Sequence, residues 1–83
     1  MSNKIEDRVK NVMSAVFGIR PEEINKESSL DTIESWDSLN HMNLIISLEE
    51  EFNIRFEESE IETVVSYNFI VITLRAYIES NEN

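Results

Sequence analysis

The stretch Asp37-Ser38-Leu39-Asn40-His41-Met42-Asn43-Leu44-Ile45-Ile46-Ser47-Leu48-Glu49-Glu50-Glu51-Phe52 contains no glycine or proline and reads as one helix. Asp37 is a good N-cap because its carboxylate can accept from a first-turn amide that has no partner within the helix, and Asn53 ends the run. At about 100° per residue the apolar side chains fall on two opposite faces. Leu44, Ile45, Leu48 and Phe52 lie on one side, joined by His41. Leu39, Met42 and Ile46 lie on the other, beside Asn43, Glu49, Glu50 and Asn53. A helix in a small bundle needs only one buried stripe, so the second is either covered by a neighbouring loop or exposed as a contact surface.

Helices are expected on both sides of this segment. Ile5, Val9, Val12, Met13 and Val16 recur at helical spacing, and Gly18 stands where a left-handed C-terminal cap belongs, with Ile19 able to fold back on the last turn. From Arg20 to Trp36 the pattern breaks up around Pro21 and the polar cluster Asn25-Lys26-Glu27-Ser28-Ser29. Ile24, Leu30 and Ile33 are expected to pin this long loop across the bundle. Downstream, Ser59-Glu60-Ile61-Glu62 has the form of a capping box and predicts a short helix carrying Ile61, Val64 and Val65. Ser66 or Asn68 can cap a last helix in which Ile70, Leu74, Tyr77 and Ile78 face inward, before a polar tail, Ser80-Asn81-Glu82-Asn83. The expected fold is all-α: a four-helix bundle with three longer helices, one short third helix and a long loop between helices 1 and 2, residues 1–83 forming a single domain.

The chain has 83 residues, 17 acidic and 7 basic, with one glycine, one proline and no cysteine. So few turn formers argue against a β-sandwich or barrel. A core of this size supplies only about 3–5 kcal/mol without a disulfide, and a catalytic cleft walled on all sides is not expected. A formal net charge of −10 opposes nucleic acids and anionic membranes as partners. Four of the basic side chains, Lys4, Arg8, Lys10 and Arg20, fall within residues 1–20, so the acidity belongs to the later helices. MSNKIEDRVKNV lacks the apolar centre of a signal peptide, and the aliphatic and aromatic run Phe69-Ile70-Val71-Ile72 falls far short of the roughly 20 residues that span a bilayer. A cytoplasmic monomer is the expectation.

Few residues suggest chemistry. Ser38 and His41 stand three apart on one helix, with neither a third orienting group nor a glycine-rich oxyanion hole, so a nucleophile–base pair is not expected and His41 reads as a partly buried packing residue. Asp31 to Asp37 fails as a calcium loop because Ile33 takes the third position and Trp36 replaces the glycine required at the sixth. Glu57, Glu58, Glu60 and Glu62 read as a solvated face, and no metal site is expected.

Asp37-Ser38-Leu39, the amphipathic run after it and Glu49-Glu50-Glu51-Phe52 resemble the acyl carrier protein family, and the resemblance covers the whole chain, including Pro21-Glu22-Glu23-Ile24 in the loop and Tyr77-Ile78 in the closing helix. It implies a carrier, not an enzyme, with 4'-phosphopantetheine joined covalently to Ser38 through a phosphodiester and acyl or aminoacyl groups held on its thiol as thioesters. A helix start is a favourable place for such an anion. The implied partners are a phosphopantetheinyl transferase, a loading ligase or synthase, and acyl-transferring enzymes with basic docking patches. Asp37, Leu39, Met42, Ile46, Glu49 and Glu50 are the expected partner-binding residues. The chain departs from carriers of primary fatty-acid synthesis, which usually have a glycine-alanine pair before Asp-Ser-Leu and acids at the positions of Asn40 and Asn43. It also lacks the glycines that peptidyl carriers tend to have before the serine. Trp36 reads either as a cap on the bundle or as a likeness to stand-alone carriers of specialised pathways. A non-covalent acidic adaptor that uses the Leu39, Met42 and Ile46 face is the alternative.

Overall fold

The computed structural model describes residues 4–81 and places four helices among them: α1 (Lys4–Phe17), α2 (Ser38–Phe52), α3 (Glu58–Ile61) and α4 (Tyr67–Asn81), with a single 3-10 turn, Pro21–Glu23, between α1 and α2. The all-α architecture expected from the spacing is the one found. α1 packs against both α2 and α4, burying Val9 and Met13 completely. Gly18 ends α1 with φ +69°, and its N–H donates to the Ser14 carbonyl at 2.9 Å. A side chain is strained in that conformation, which is the reason for glycine here. Asn53 ends α2 in the same left-handed way, at φ 57°.

The long loop is fixed at many points. Ile24 and Ile33 are buried as expected. Leu30 is not: it is 45% exposed, so it does not pin the loop. The reason lies in its backbone. Ser29 and Ser66 form an antiparallel bridge in which the Leu30 N–H donates to the Val65 carbonyl (3.1 Å) and the Tyr67 N–H to the Ser28 carbonyl (2.9 Å). The main chain supplies the anchor there. Within the polar cluster, Ser28 Oγ accepts from the Asn25 N–H and Asn25 Oδ1 from the Glu27 N–H, so these side chains stand in for a helical ladder.

The short third helix is displaced from its expected start. Glu57, not Ser59, is its cap, and Glu60 supplies the capping-box carboxylate, accepting from the Glu57 N–H at 3.0 Å. Glu60 reaches back equally well from a box two residues further upstream, and Val64 and Val65 consequently lie beyond the helix, Val64 fully buried. Ser66 caps α4, its hydroxyl accepting from the Phe69 N–H. Ile70 and Leu74 are buried and Tyr77 and Ile78 pack at the core's edge as expected, while α4 continues through Asn81 into the expected tail, whose Glu82 and Asn83 lie outside the described residues.

Tyr77 joins α4 to the α3 region. Its hydroxyl donates to the Glu60 carboxylate and also lies 3.0 Å from the Arg55 carbonyl, so its one hydrogen is shared between them, and its ring meets Phe56 edge-on. The hydrogen bond to Glu60, with burial second, pushes the phenol from 10.0 up to about 12. A raised phenol pKa stabilises the fold below pH 10, where both states are protonated, and that stabilisation is lost as pH rises from about 10 through 12. Thermal melts across this range should show a steep loss of stability in the wild type. Tyr77→Phe should be less stable near neutrality and lose less on going alkaline.

Candidate functional site

α2 begins where the cap chemistry dictates. Asp37 Oδ1 accepts from the Asn40 N–H at 2.8 Å, so Ser38 becomes the first helical residue and its hydroxyl takes no part in the cap. Ser38 is exposed, and the first turn of α2 holds no acidic residue. Free first-turn amides and the positive end of the helix dipole therefore lie next to its hydroxyl. Asn40 secures the approach from the other side, its amide donating to the Ser35 carbonyl at 2.9 Å while its oxygen accepts from Asn43. A carboxylate at position 40 has no hydrogen to donate there.

Trp36 is core. It is 6% exposed and lies against Phe17 at 4.8 Å between ring centroids, and its indole N–H donates to His41 Nδ1 at 3.0 Å. An indole N–H only donates, so His41 Nδ1 accepts and Nε2 carries the hydrogen, which it gives to the Ile61 carbonyl at 2.7 Å. Both ring nitrogens are engaged, and the imidazole is not free to take a proton from Ser38.

An open groove of about 520 Å³ runs beside Ser38. Its walls come from three places in the chain: Trp36, Asp37, His41 and Met42; Ile61 and Glu62; and Leu30 with Val65. A larger hollow of about 630 Å³ between Phe17, Glu27 and Ile33 holds none of the candidate residues. Leu30, Ile61, Glu62 and Val65 were not expected at the site. Only the fold brings them there, although the adjacent pair Val64-Val65 signals one side chain in and one out.

The second stripe of α2 is exposed, Leu39 at 73%, Ile46 at 50% and Met42 at 46%, so the loop does not cover it. Glu50 stands free in solvent beside it. Glu49 is half-buried and its carboxylate accepts from the Phe56 N–H at 2.9 Å, fastening the segment after α2. Glu51 pairs with Arg8 of α1 at 2.8 Å. Of the expected partner-binding residues, Leu39, Met42, Ile46 and Glu50 are thus surface groups, whereas Asp37 and Glu49 also hold local structure.

Residues 7–68 match the family described as a phosphopantetheine attachment site. The chain is also similar to the acyl carrier protein of Wolinella succinogenes, with 33% identity over 78 residues that cover 94% of this chain and 97% of that protein.

Proposed function

Since the chain belongs to the acyl carrier protein family, with 4'-phosphopantetheine as the covalent prosthetic group of its carrier role, we propose that Ser38 is the residue that bears the group. The observation that carries this assignment is the exposed hydroxyl at the first position of α2, left uncommitted because Asp37 makes the cap bond. The site fits a phosphodiester. First-turn amides face it, no acid shares that turn, and the open groove leaves room for an extended arm. The group, when bound, supplies a thiol on which acyl or aminoacyl intermediates are held as thioesters.

The chain's own residues present and orient. Ser38 offers the hydroxyl, the Asn40 and Ser35 contacts hold the helix start, and His41 and Trp36 fix the turn that precedes it. No residue here acts as a base, because the transferase activates Ser38 and partner enzymes carry out the later chemistry. The neutral amides Asn40 and Asn43 support a specialised biosynthetic pathway, with residues 1–83 working as one monomeric domain in the cytoplasm. Among the described residues no helix is long and apolar enough to cross a membrane.

Leu39, Met42 and Ile46 form the docking face for a transferase, a loading enzyme and acyl-transferring enzymes, and Glu50 is the charge that steers their basic patches. Rim charges act chiefly on encounter rate and are screened by salt. Glu50→Lys should therefore slow transfer about threefold to tenfold at low salt, and the difference should vanish at high salt with the melting temperature unchanged. Stopped-flow or quenched-flow transfer assays across a salt series measure this.

The test of the assignment is direct. Coenzyme A, magnesium and a broad-specificity phosphopantetheinyl transferase should raise the intact mass by one phosphopantetheine group, with peptide fragmentation locating it on Ser38. A folded chain left unmodified by several transferases overturns the proposal.

A further inference from the structure

α4 begins beside a hollow of about 180 Å³ walled by α1, the long loop and the first turn of α4, and lined by none of the residues around Ser38. Tyr67, the first residue of α4, lines it and is only 5% exposed. Among the described residues its hydroxyl has no hydrogen-bond partner, and no fully buried polar side-chain atom lacks one. The hydroxyl is therefore the part of Tyr67 that reaches the hollow. Burial first, then the Glu6 and Asp7 carboxylates, raise the phenol above its ordinary value of 10.0, with Arg75 opposing, so the hydroxyl keeps its hydrogen and can donate it.

The other groups at the hollow are donors as well. Lys10 of α1, whose ammonium lies 5.8 Å from the centre of the Tyr67 ring, and Lys26 of the loop make no ion pair among the described residues. The Tyr67 N–H donates to the Ser28 carbonyl and the Phe69 N–H to Ser66 Oγ, which leaves the Asn68 N–H, at the positive end of α4, without a partner among the described residues. Glu6 is the one carboxylate in the lining, and Arg75 pairs with it at 3.1 Å. The larger hollows, beside Ser38 and between Phe17, Glu27 and Ile33, are lined by acids with neither a lysine nor an arginine. In a chain of net charge −10 the start of α4 is thus a local exception.

We propose that this hollow binds a phosphate group, held by Lys10, Lys26, the Tyr67 hydroxyl and the Asn68 N–H. The two ammonium groups meet its charge, and the phenol and the main-chain amide aim hydrogens at its oxygens. Glu6 and Asp7 oppose an anion, which sets the affinity in the millimolar range. Lys10, Lys26 and Tyr67 come from α1, the loop and α4, so a bound phosphate ties the three together and stabilises the fold by mass action. None of this depends on Ser38.

The test is an NMR titration of the unmodified chain with inorganic phosphate, against sodium chloride at matched ionic strength. Phosphate should give saturating shifts of the Lys26 and Asn68 amides and raise the melting temperature above that in chloride. Lys10→Gln and Lys26→Gln should each weaken binding about tenfold, as expected for one charge-assisted hydrogen bond. Tyr67→Phe should weaken it about threefold to tenfold and leave the phosphate-free melting temperature unlowered, since the hydroxyl has no protein partner to lose. Glycerol phosphate separates the sources: comparable binding assigns the site to a phosphate carried on a larger molecule, and its exclusion assigns it to the free ion. Shifts equal to those in chloride, saturation untouched by both lysine variants, or shifts confined to the Ser38 and Asn40 amides overturn the proposal. Lys26 is exposed, so its variant keeps the test decisive even if Lys10→Gln does not fold.

Discussion

Ser38→Ala is expected to abolish phosphopantetheine attachment completely while leaving the bundle folded. The loss is total because attachment forms a bond from the serine oxygen to phosphorus, and a methyl group has no oxygen to offer. The fold should be indifferent. Ser38 is exposed, the cap bond runs from the Asn40 N–H to Asp37, and alanine has the highest helix propensity, so stability should change by no more than about 0.5 kcal/mol. Asp37→Ala provides the contrast. It keeps the hydroxyl but removes the cap, at a cost of about 1 kcal/mol, and should lower the rate of attachment without preventing it. Intact mass after transferase treatment, with circular-dichroism melts of the same samples, checks both variants. Labelling of a Ser38→Ala protein would place the attachment elsewhere.

The largest effect on stability is expected on the other face of the same helix. Leu48 is completely buried, and Phe52 lies in the core with the Arg8 guanidinium 4.3 Å above its ring. Leu48→Ala or Phe52→Ala should cost about 2–5 kcal/mol, combining lost transfer energy with the cavity left behind. That is comparable to the roughly 3–5 kcal/mol available to a core of this size, so either variant should be largely unfolded at ambient temperature. Leu39→Ala and Met42→Ala remove side chains that already face water and should cost well under about 1 kcal/mol. Urea titrations of the four variants compare the faces. Equal sensitivity on both would show that the outward stripe is core, and Leu39, Met42 and Ile46 would then be lost as a docking surface.

The elements legible in the sequence are those governed by local rules. Helical spacing marks α1, α2 and α4, Asp37 is recognisable as a cap, Ser66 is one of two candidates with Asn68 until its bond to the Phe69 N–H selects it, and Gly18 and Asn53 mark helix ends through the left-handed conformation each adopts. The opposite faces of α2 are legible for the same reason, since the angle per residue separates Leu44 and Leu48 from Leu39 and Ile46. What was missed depends on choices between competing local solutions or on distant partners. Both Glu57 and Ser59 are followed by a carboxylate three positions on, and only packing selects the Glu57 box. Leu30 looks like an anchor by hydrophobicity, but its backbone bond to Val65 sets its place and leaves its side chain outside. Glu49 and Glu50 are indistinguishable as letters. Only the return of the chain at Phe56 gives one of them an amide to bind. The groove beside Ser38 was invisible for the same reason, because its far wall is assembled from residues distant along the chain.

The bridge between Ser29 and Ser66 fastens that far wall through the main chain. Leu30 and Val65 flank the bridge, and the N–H groups of Leu30 and Tyr67 are each held by a carbonyl on the opposite segment. Neither segment can swing away alone without breaking the contacts of the other. Displacing either the loop or the segment before α4 therefore requires both hydrogen bonds of the bridge to break. The width of the groove is thus set from the far side by main-chain hydrogen bonds and not by the packing of its side chains.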